Sequence, residues 1–250
     1  MAWQSPKTDW AAADGVRNTD FNRIEGNILE LYNTALTHNA VTVYVSPSGN
    51  DSTGNGTSEL PYRTITKALQ VVPRNLNGDS VTVHITEGTY NETPILRGFT
   101  GPLRLFLTGA VTITSITVED CTVLHDGALL TFEPSADGTG LTLQNSATWV
   151  SSADITITVG TKGIVVQDGS RMSASGIVTI NNTTSTGIEV RSASMVHIHS
   201  ISGTGNATAI SASDGSLVSY ALISVTGATR TFTINGGRVY SGSQISVTNH

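Results

Sequence analysis

Carboxylates that could act in pairs are scarce in the second half of this sequence. Beyond residue 140 only Asp154, Asp168, Glu189 and Asp214 are available. Glycoside hydrolysis needs two carboxyl groups roughly 5–9.5 Å apart, one to protonate the leaving oxygen and one to attack or to activate water. Asp168 and Asp214 are the candidate pair. Each is followed by glycine, however, and Asp-Gly is tight-turn chemistry, because Asp tolerates a left-handed backbone and Gly adopts it freely. Asn145 and Asn235 hold the corresponding places nearby, so the turn reading is preferred and no catalytic residue is assigned. A lyase would want a Lys or Arg base beside an acidic metal cluster, and Arg171 and Arg191 stand isolated. His197-x-His199 projects two imidazoles from one face of a strand. On a threefold axis six such nitrogens could hold an octahedral metal, but two exposed or hydrogen-bonded histidines are the plainer reading, and no cofactor is expected. The polar loop 49–56 offers only Asp51 as a carboxylate, too few for a calcium loop, and reads as a flexible turn. Flat rings stack on pyranose faces, which makes Trp149, Tyr220 and Tyr240 candidates. Trp149 falls in an apolar column and reads as core, leaving Tyr220 and Tyr240 as candidate carbohydrate-binding residues.

These residues must be positioned by an internal repeat. Apolar Val118, Leu141, Ile164, Ile188, Ile210 and Phe232 begin similar segments at spacings of 23, 23, 24, 22 and 22. A second apolar residue follows two positions on at Leu143, Val166, Val190, Ala212 and Ile234, with a mostly polar residue between, the period-two signature of a half-buried strand. A turn comes next at Asn145, Asp168-Gly169, Asp214-Gly215 and Asn235-Gly236. Trp149, Met172, Val196 and Val218 form a further apolar column. A third strand closes the segments at Ile155/Ile157, Val178/Ile180, Ile223/Val225 and Ile245/Val247. Three short strands per coil of about 23 residues predict an all-β protein, a parallel β-helix. Six coils stacked at ~4.8 Å would make a rod section about 30 Å long, and Asp168 and Asp214 would lie two coils, ~9.6 Å, apart.

Upstream the pattern changes twice. Phe21, Ile24, Ile28, Leu31 and Ala35 fall at spacings of three, four, three and four, an a/d seam with Thr19 as a plausible N-cap. Two heptads are too few to stand alone in water. The helix therefore either packs on its own domain or serves as a self-association or docking element. Val41–Val45 and Val81–Ile85 read as strands. Between them a short helix is expected over 62–72, introduced by Pro61 and closed by Pro73, which would plug the open end of the strand stack. The organisation expected is a leader and helix for attachment or oligomerisation over 1–40, the β-helix opening with its capping helix and first coils over 41–117, and regular coils over 118–250.

Composition agrees with this reading and excludes others. The chain has 250 residues with only 13% charged, and Ser and Thr make up roughly a quarter, which rules out a helical bundle or coiled coil for the whole chain. Side chains at one coil position stack on their successors, so hydroxyls and amides are tolerated where like charges would repel. The first 140 residues carry eight basic and fifteen acidic side chains, the remaining 110 only five and four. At net charge −6, without a dense basic patch, nucleic acid is not an expected partner. The single Cys121 can form no internal disulfide. The start lacks the charged and apolar regions of a secretory signal, and no stretch reaches the ~18 apolar residues of a membrane span. Synthesis in the cytoplasm without membrane insertion is expected.

Two stretches carry a resemblance. Tyr44-Val45-Ser46-Pro47-Ser48-Gly49-Asn50-Asp51 with Pro61-Tyr62-Arg63-Thr64-Ile65-Thr66-Lys67-Ala68-Leu69, and Val81–Tyr90, resemble the opening of pectin-lyase-like β-helices as found in phage tailspikes. The leader, from Pro6-Lys7-Thr8-Asp9-Trp10 to Asp20-Phe21-Asn22-Arg23-Ile24-Glu25-Gly26-Asn27-Ile28, resembles the N-termini of baseplate-attached tail fibres of Gram-positive phages and prophages. The resemblance implies a right-handed, single-stranded parallel β-helix in a homotrimeric tail fibre or spike. Such a protein would attach to the tail or baseplate by its N-terminus, present its β-helix to a host-surface glycan or other receptor, and reside in the virion tail. Two alternatives stay open: a tailspike glycan depolymerase, and a purely architectural baseplate spacer. The Gln-and-two-Asp constellation of pectin-esterase relatives is missing, so no enzyme is expected. The sequence stops at Ser246-Val247-Thr248-Asn249-His250 without a capping element, and an open ladder end is expected to be covered by a partner.

Overall fold

An alternating strand has one apolar side, and it can bury that side only by closing around a core shared with its neighbours. The computed structural model describes residues 15, 17–36, 40–75, 80–227, 230–241 and 244–245. Trp3, Pro6, Asp9, Trp10 and residues 246–250, including Val247, lie outside them. Contacts divide the chain into two units, residues 1–39 and 40–250.

In the first unit, helix α1 spans Asn18–Leu36. It begins before Thr19, which is therefore not its cap. The backbone N–H of Arg17 instead donates to Asp20 Oδ2 at 2.9 Å, so an acid in the first turn reaches back to the start of the helix and also meets its positive dipole end.

The second unit is a parallel β-solenoid with three faces. The first face runs from Val41–Val45 through Val81–Ile85, Leu103–Leu107, Thr122–Gly127 and Thr148–Ser151 to Arg238–Ser241. The second starts at Gly88–Tyr90 and passes through Val111–Ile113, Leu130–Phe132 and Ile155–Ile157. Seven strands from Ile95–Arg97 to Arg230–Asn235 make the third, one per coil. In three successive coils the first and second strands are continuous, as Arg171–Ile180, Met195–Thr204 and Leu217–Thr226, with a bulge between Ala174 and Ile177 turning the corner. Trp149, Met172, Val196 and Val218 stack inward in register as the sequence predicts, and all are buried.

Register corrects the repeat at one step. Leu141 pairs with Ile116, and Val118 pairs with Leu143, so Ile116 and not Val118 begins the first of the six segments. A slip of two residues leaves every side chain on its original face, and alternation alone cannot detect it. The extra length is taken up by the loop between Phe132 and Thr139. Ile245, expected in the last third strand, instead lies in Gln244–Ile245, which turns back antiparallel to Arg238–Ser241 with Ile245 opposite Tyr240, while Val247 falls outside the described residues. The predicted turns at Asn145, Asp168 and Asp214 fall in a column of left-handed residues that also takes in Asp120 and Ser192 (φ 50° to 58°), and Gly236 rather than Asn235 holds the last place.

Helix α2 spans Ile65–Val71, three residues later than expected at its start. Pro61 does not open the helix because Tyr62 bridges to Val45 as a short extension of the first face. Thr64 is the N-cap, accepting from the Lys67 N–H. Ile65, Ala68, Leu69 and Val72 are buried in the continuous core beside the terminal strand Val41–Val45, so α2 caps the stack as predicted. The loop 49–56 is no loose turn. Asp51 accepts from the Arg63 and Thr64 N–H groups at 2.8 and 3.1 Å and from the Thr64 hydroxyl at 2.7 Å. Burial alone would raise the Asp51 carboxyl, and these hydrogen bonds outweigh it, leaving it below the ordinary carboxylate value. Gly49 and Gly54 let the loop lie against Pro61 and Tyr62: a Cβ on Gly49 would meet the Tyr62 carbonyl oxygen at 2.4 Å. Glu92 completes the cap, accepting from the N–H groups of Ile65 and Thr66 at 2.7 and 2.9 Å.

Candidate functional site

Three described side chains of the α1 seam present apolar surface to solvent. Phe21, Ile24 and Ile28 are 56%, 45% and 60% exposed, and Leu29 beside them is 51% exposed. The backbone of Leu31 and Ala35 continues the helix, while their side chains lie outside the described ones. Phe21, Ile24 and Ile28 thus form an apolar stripe at a/d spacing along one helix.

On the solenoid, the sequence candidates separate into inward and outward positions. Tyr220 points inward in the column Ala174–Ile198–Tyr220. It is 8% exposed and lies parallel to Phe232 with ring centroids 6.0 Å apart, which withdraws it as a sugar platform. The residue sits an odd step from the outward positions, and burial raises its hydroxyl pKa. Tyr240 is outward and half-buried, in register with Ser219 and through it with His197. His197 is exposed, with Nδ1 2.8 Å from the Ser219 hydroxyl. His199 is exposed at the corner between the first and second faces. Among the described residues no group of three or more His, Cys, Asp or Glu side chains is placed to hold a metal.

The carboxylates have structural partners or turn positions. Asp154 Oδ1 accepts from the Ile177 N–H at 2.8 Å. Glu189 pairs with Lys162 at 2.7 Å and with Arg191 at 3.4 Å. Asp168 and Asp214 are exposed on the left-handed turn column, with Ser192 of the intervening coil between them. The third face carries a hydrogen-bonded ladder: Arg97 to Glu119, Gln144 Nε2 to Glu119 at 2.7 Å, Gln167 Nε2 to Gln144 at 3.0 Å, and Arg191 Nε to Gln167 at 2.8 Å. The Arg97 and Gln144 hydrogen bonds hold the Glu119 carboxyl below its ordinary value.

Two features escaped the sequence reading. One is internal: His125 occupies an inward position between Leu105 and Ser151, with Nδ1 2.7 Å from the Ser151 hydroxyl. That hydroxyl donates to the Ala153 carbonyl at 2.8 Å, so it accepts from His125 Nδ1–H. A histidine–serine pair resembles nucleophilic chemistry, but both residues are buried in the core. The other feature is on the surface. Tyr44, His84 and Phe106 stand in register on the outward side of the first face, with ring centroids 4.8 and 5.2 Å apart. The Arg104 guanidinium lies 5.0 Å from the Phe106 centroid and its Nε is 2.8 Å from Asp126 Oδ2. Asp126 follows Phe106 in the same column. A signal existed, since all three rings are the fourth residue of strands reading VTVYV, VTVHI and LRLFL.

Among the described residues no helix is long and apolar enough to cross a membrane. No curated protein and no solved structure matches the chain. A family profile does match, from Pro47, at the start of the loop that caps α2, through the coils to residue 249, leaving α1 outside: over residues 47–249 the chain belongs to the family described as Protein of unknown function (DUF1565).

Proposed function

We propose that the chain is a non-enzymatic structural protein of a phage or phage-derived particle, a tail fibre or spike. In this reading α1 assembles three copies or docks them on the tail or baseplate, and the β-solenoid is presented to a host-surface glycan or other receptor. The exposed Phe21, Ile24 and Ile28 seam carries the proposal, because stable helices seldom leave such a stripe in water. The resemblance of the leader to baseplate-attached fibres supports the same assignment. A solenoid with a closed apolar core suits it as well, since outward side chains can vary without touching the fold.

The test is solution mass by light scattering for the wild-type chain and for an Ile24→Asp/Ile28→Asp variant. A wild-type mass near 78 kDa, three times the 26.1 kDa chain, that falls to the monomer in the variant is expected. A monomeric wild type at micromolar concentration would overturn the trimer.

A further inference from the structure

We propose that the outward strip Tyr44–His84–Phe106, together with Arg104 and Asp126, is a binding site for a neutral oligosaccharide. The inference deepens the reading of the solenoid as a surface-recognition element and rests on it. Three observations carry it. The rings are half-buried, so each keeps part of its surface in solvent, and they run without interruption across three successive coils. Their planes are tilted by 43° and 42° instead of lying flat against one another, which leaves a stepped apolar surface of the kind that C–H faces of sugar rings cover.

At one end of the strip Arg104 and Asp126 place a planar donor fork beside a carboxylate acceptor. This pair matches vicinal hydroxyls, which donate and accept at once. Arg104 and Asp126 neutralise each other, so the site has no excess charge to favour an anionic polymer. Orphaned polar atoms are the third observation. Among the described residues, four buried side-chain nitrogens or oxygens lack a hydrogen-bond partner: His84 Nδ1, Asp126 Oδ1, His125 Nε2 and Trp149 Nε1. The last two belong to the buried core. The first two both lie on the strip, and a buried polar atom without a partner is costly enough to mark a place where one is supplied.

The experiment presents the full-length protein to an array of immobilised neutral and anionic oligosaccharides. The best neutral binder is then titrated calorimetrically against wild type, Tyr44→Leu, Phe106→Leu and Arg104→Gln. Retention of neutral oligosaccharides is expected, with at least a tenfold loss of affinity in each variant. Thermal melts establish that the variants are folded. Arg104→Gln lies on the surface and carries the test if a ring variant does not fold. The Ile24→Asp/Ile28→Asp variant should keep its affinity per chain. Retention of anionic glycans alone, no retention of any neutral glycan, or undiminished binding by the folded strip variants would each overturn the proposal. Neutral-glycan binding that is lost on altering His197 or Tyr240 instead would overturn the strip as its site while leaving the surface-recognition reading standing. A monomeric mass with strip-dependent binding would do the reverse, sinking the trimer alone.

Discussion

The early and late coils of this solenoid meet the same requirement with different chemistry. Every outward side chain stacks on its counterpart one coil away, so neighbours must attract or at least tolerate each other. In the early coils, unlike charges and rings do this: Arg97 against Glu119, Arg104 diagonally against Asp126, and Tyr44, His84 and Phe106 against one another. The late coils keep one charged cluster, Glu189 with Lys162 and Arg191, and otherwise use hydroxyls and amides. On the surface Thr179 and Ser202 lie 2.7 Å apart, and the buried Thr183 and Asn206 continue the same chemistry inside, the Thr183 hydroxyl donating to Asn206 Oδ1 at 2.9 Å and Asn206 Nδ2 to the Ile180 carbonyl at 2.7 Å. The scarcity of charge after residue 140 is thus a second solution to stacking.

The largest effect that bears on this division is in the core. Phe132 and Val196 are fully buried, one in an early coil and one in a late coil. Phe132→Ala should cost about 3–5 kcal/mol, and Val196→Ala about 2 kcal/mol, from lost burial and the cavity left behind. Because one continuous core runs through both regions, each substitution should lower the midpoint of a single urea transition followed by circular dichroism and by tryptophan fluorescence. Two transitions, each sensitive to only one of the substitutions, would mean that the regions fold as separate units.

Near the boundary between the regions sits His125, whose pKa is pushed down to about 4, first by burial, with the Ala128 backbone and Asp126 opposing. In the unfolded chain the imidazole titrates near 6.5. Between those values the unfolded state binds more protons than the folded one, so stability rises with pH through this window and is lost as pH falls through it. At ~1.4 kcal/mol per unit the loss by pH 4 is about 3 kcal/mol. Urea midpoints measured from pH 4 to 7 should show it, and a His125→Leu/Ser151→Ala variant should remove that part of the slope. An unchanged slope in a folded double variant would show that other groups govern acid stability.

Much of the solenoid was legible because its apolar columns repeat wherever no insertion intervenes, as from Leu141 to Ile234. The early coils were harder to align. Val41 pairs with Val81 across an intervening loop and helix, and Leu103 pairs with Val123 only twenty residues on, so no fixed period linked Tyr44, His84 and Phe106. Tyr220 and Trp149 differ in the same way: a column of relatives placed Trp149 inward, whereas Tyr220 follows Ala174 and Ile198 in a column the reading had not assembled. His125 was unreadable in principle, because its inward place is made tolerable by Ser151 one coil later and not by anything local. The α1 seam was visible in its spacing, but spacing does not say what covers it.

The smallest effect separates the two stacking chemistries most directly. The Arg104–Asp126 pair is partly exposed, and a double-mutant cycle with Arg104→Gln and Asp126→Asn should give a coupling of about 0.2–1 kcal/mol. Raising the salt to 1 M shortens the screening length to about 3 Å and should remove most of it. The corresponding cycle on Thr179→Val and Ser202→Ala, between uncharged hydroxyls, should give a coupling of similar size that salt leaves unchanged, since no net charge is there to be screened. Equal salt sensitivity in both cycles would mean that the early coils hold together by packing of the Arg104 and Phe106 side chains. The charges of Arg104 and Asp126 would then contribute little to stability, and their arrangement would have to be explained by what the strip binds.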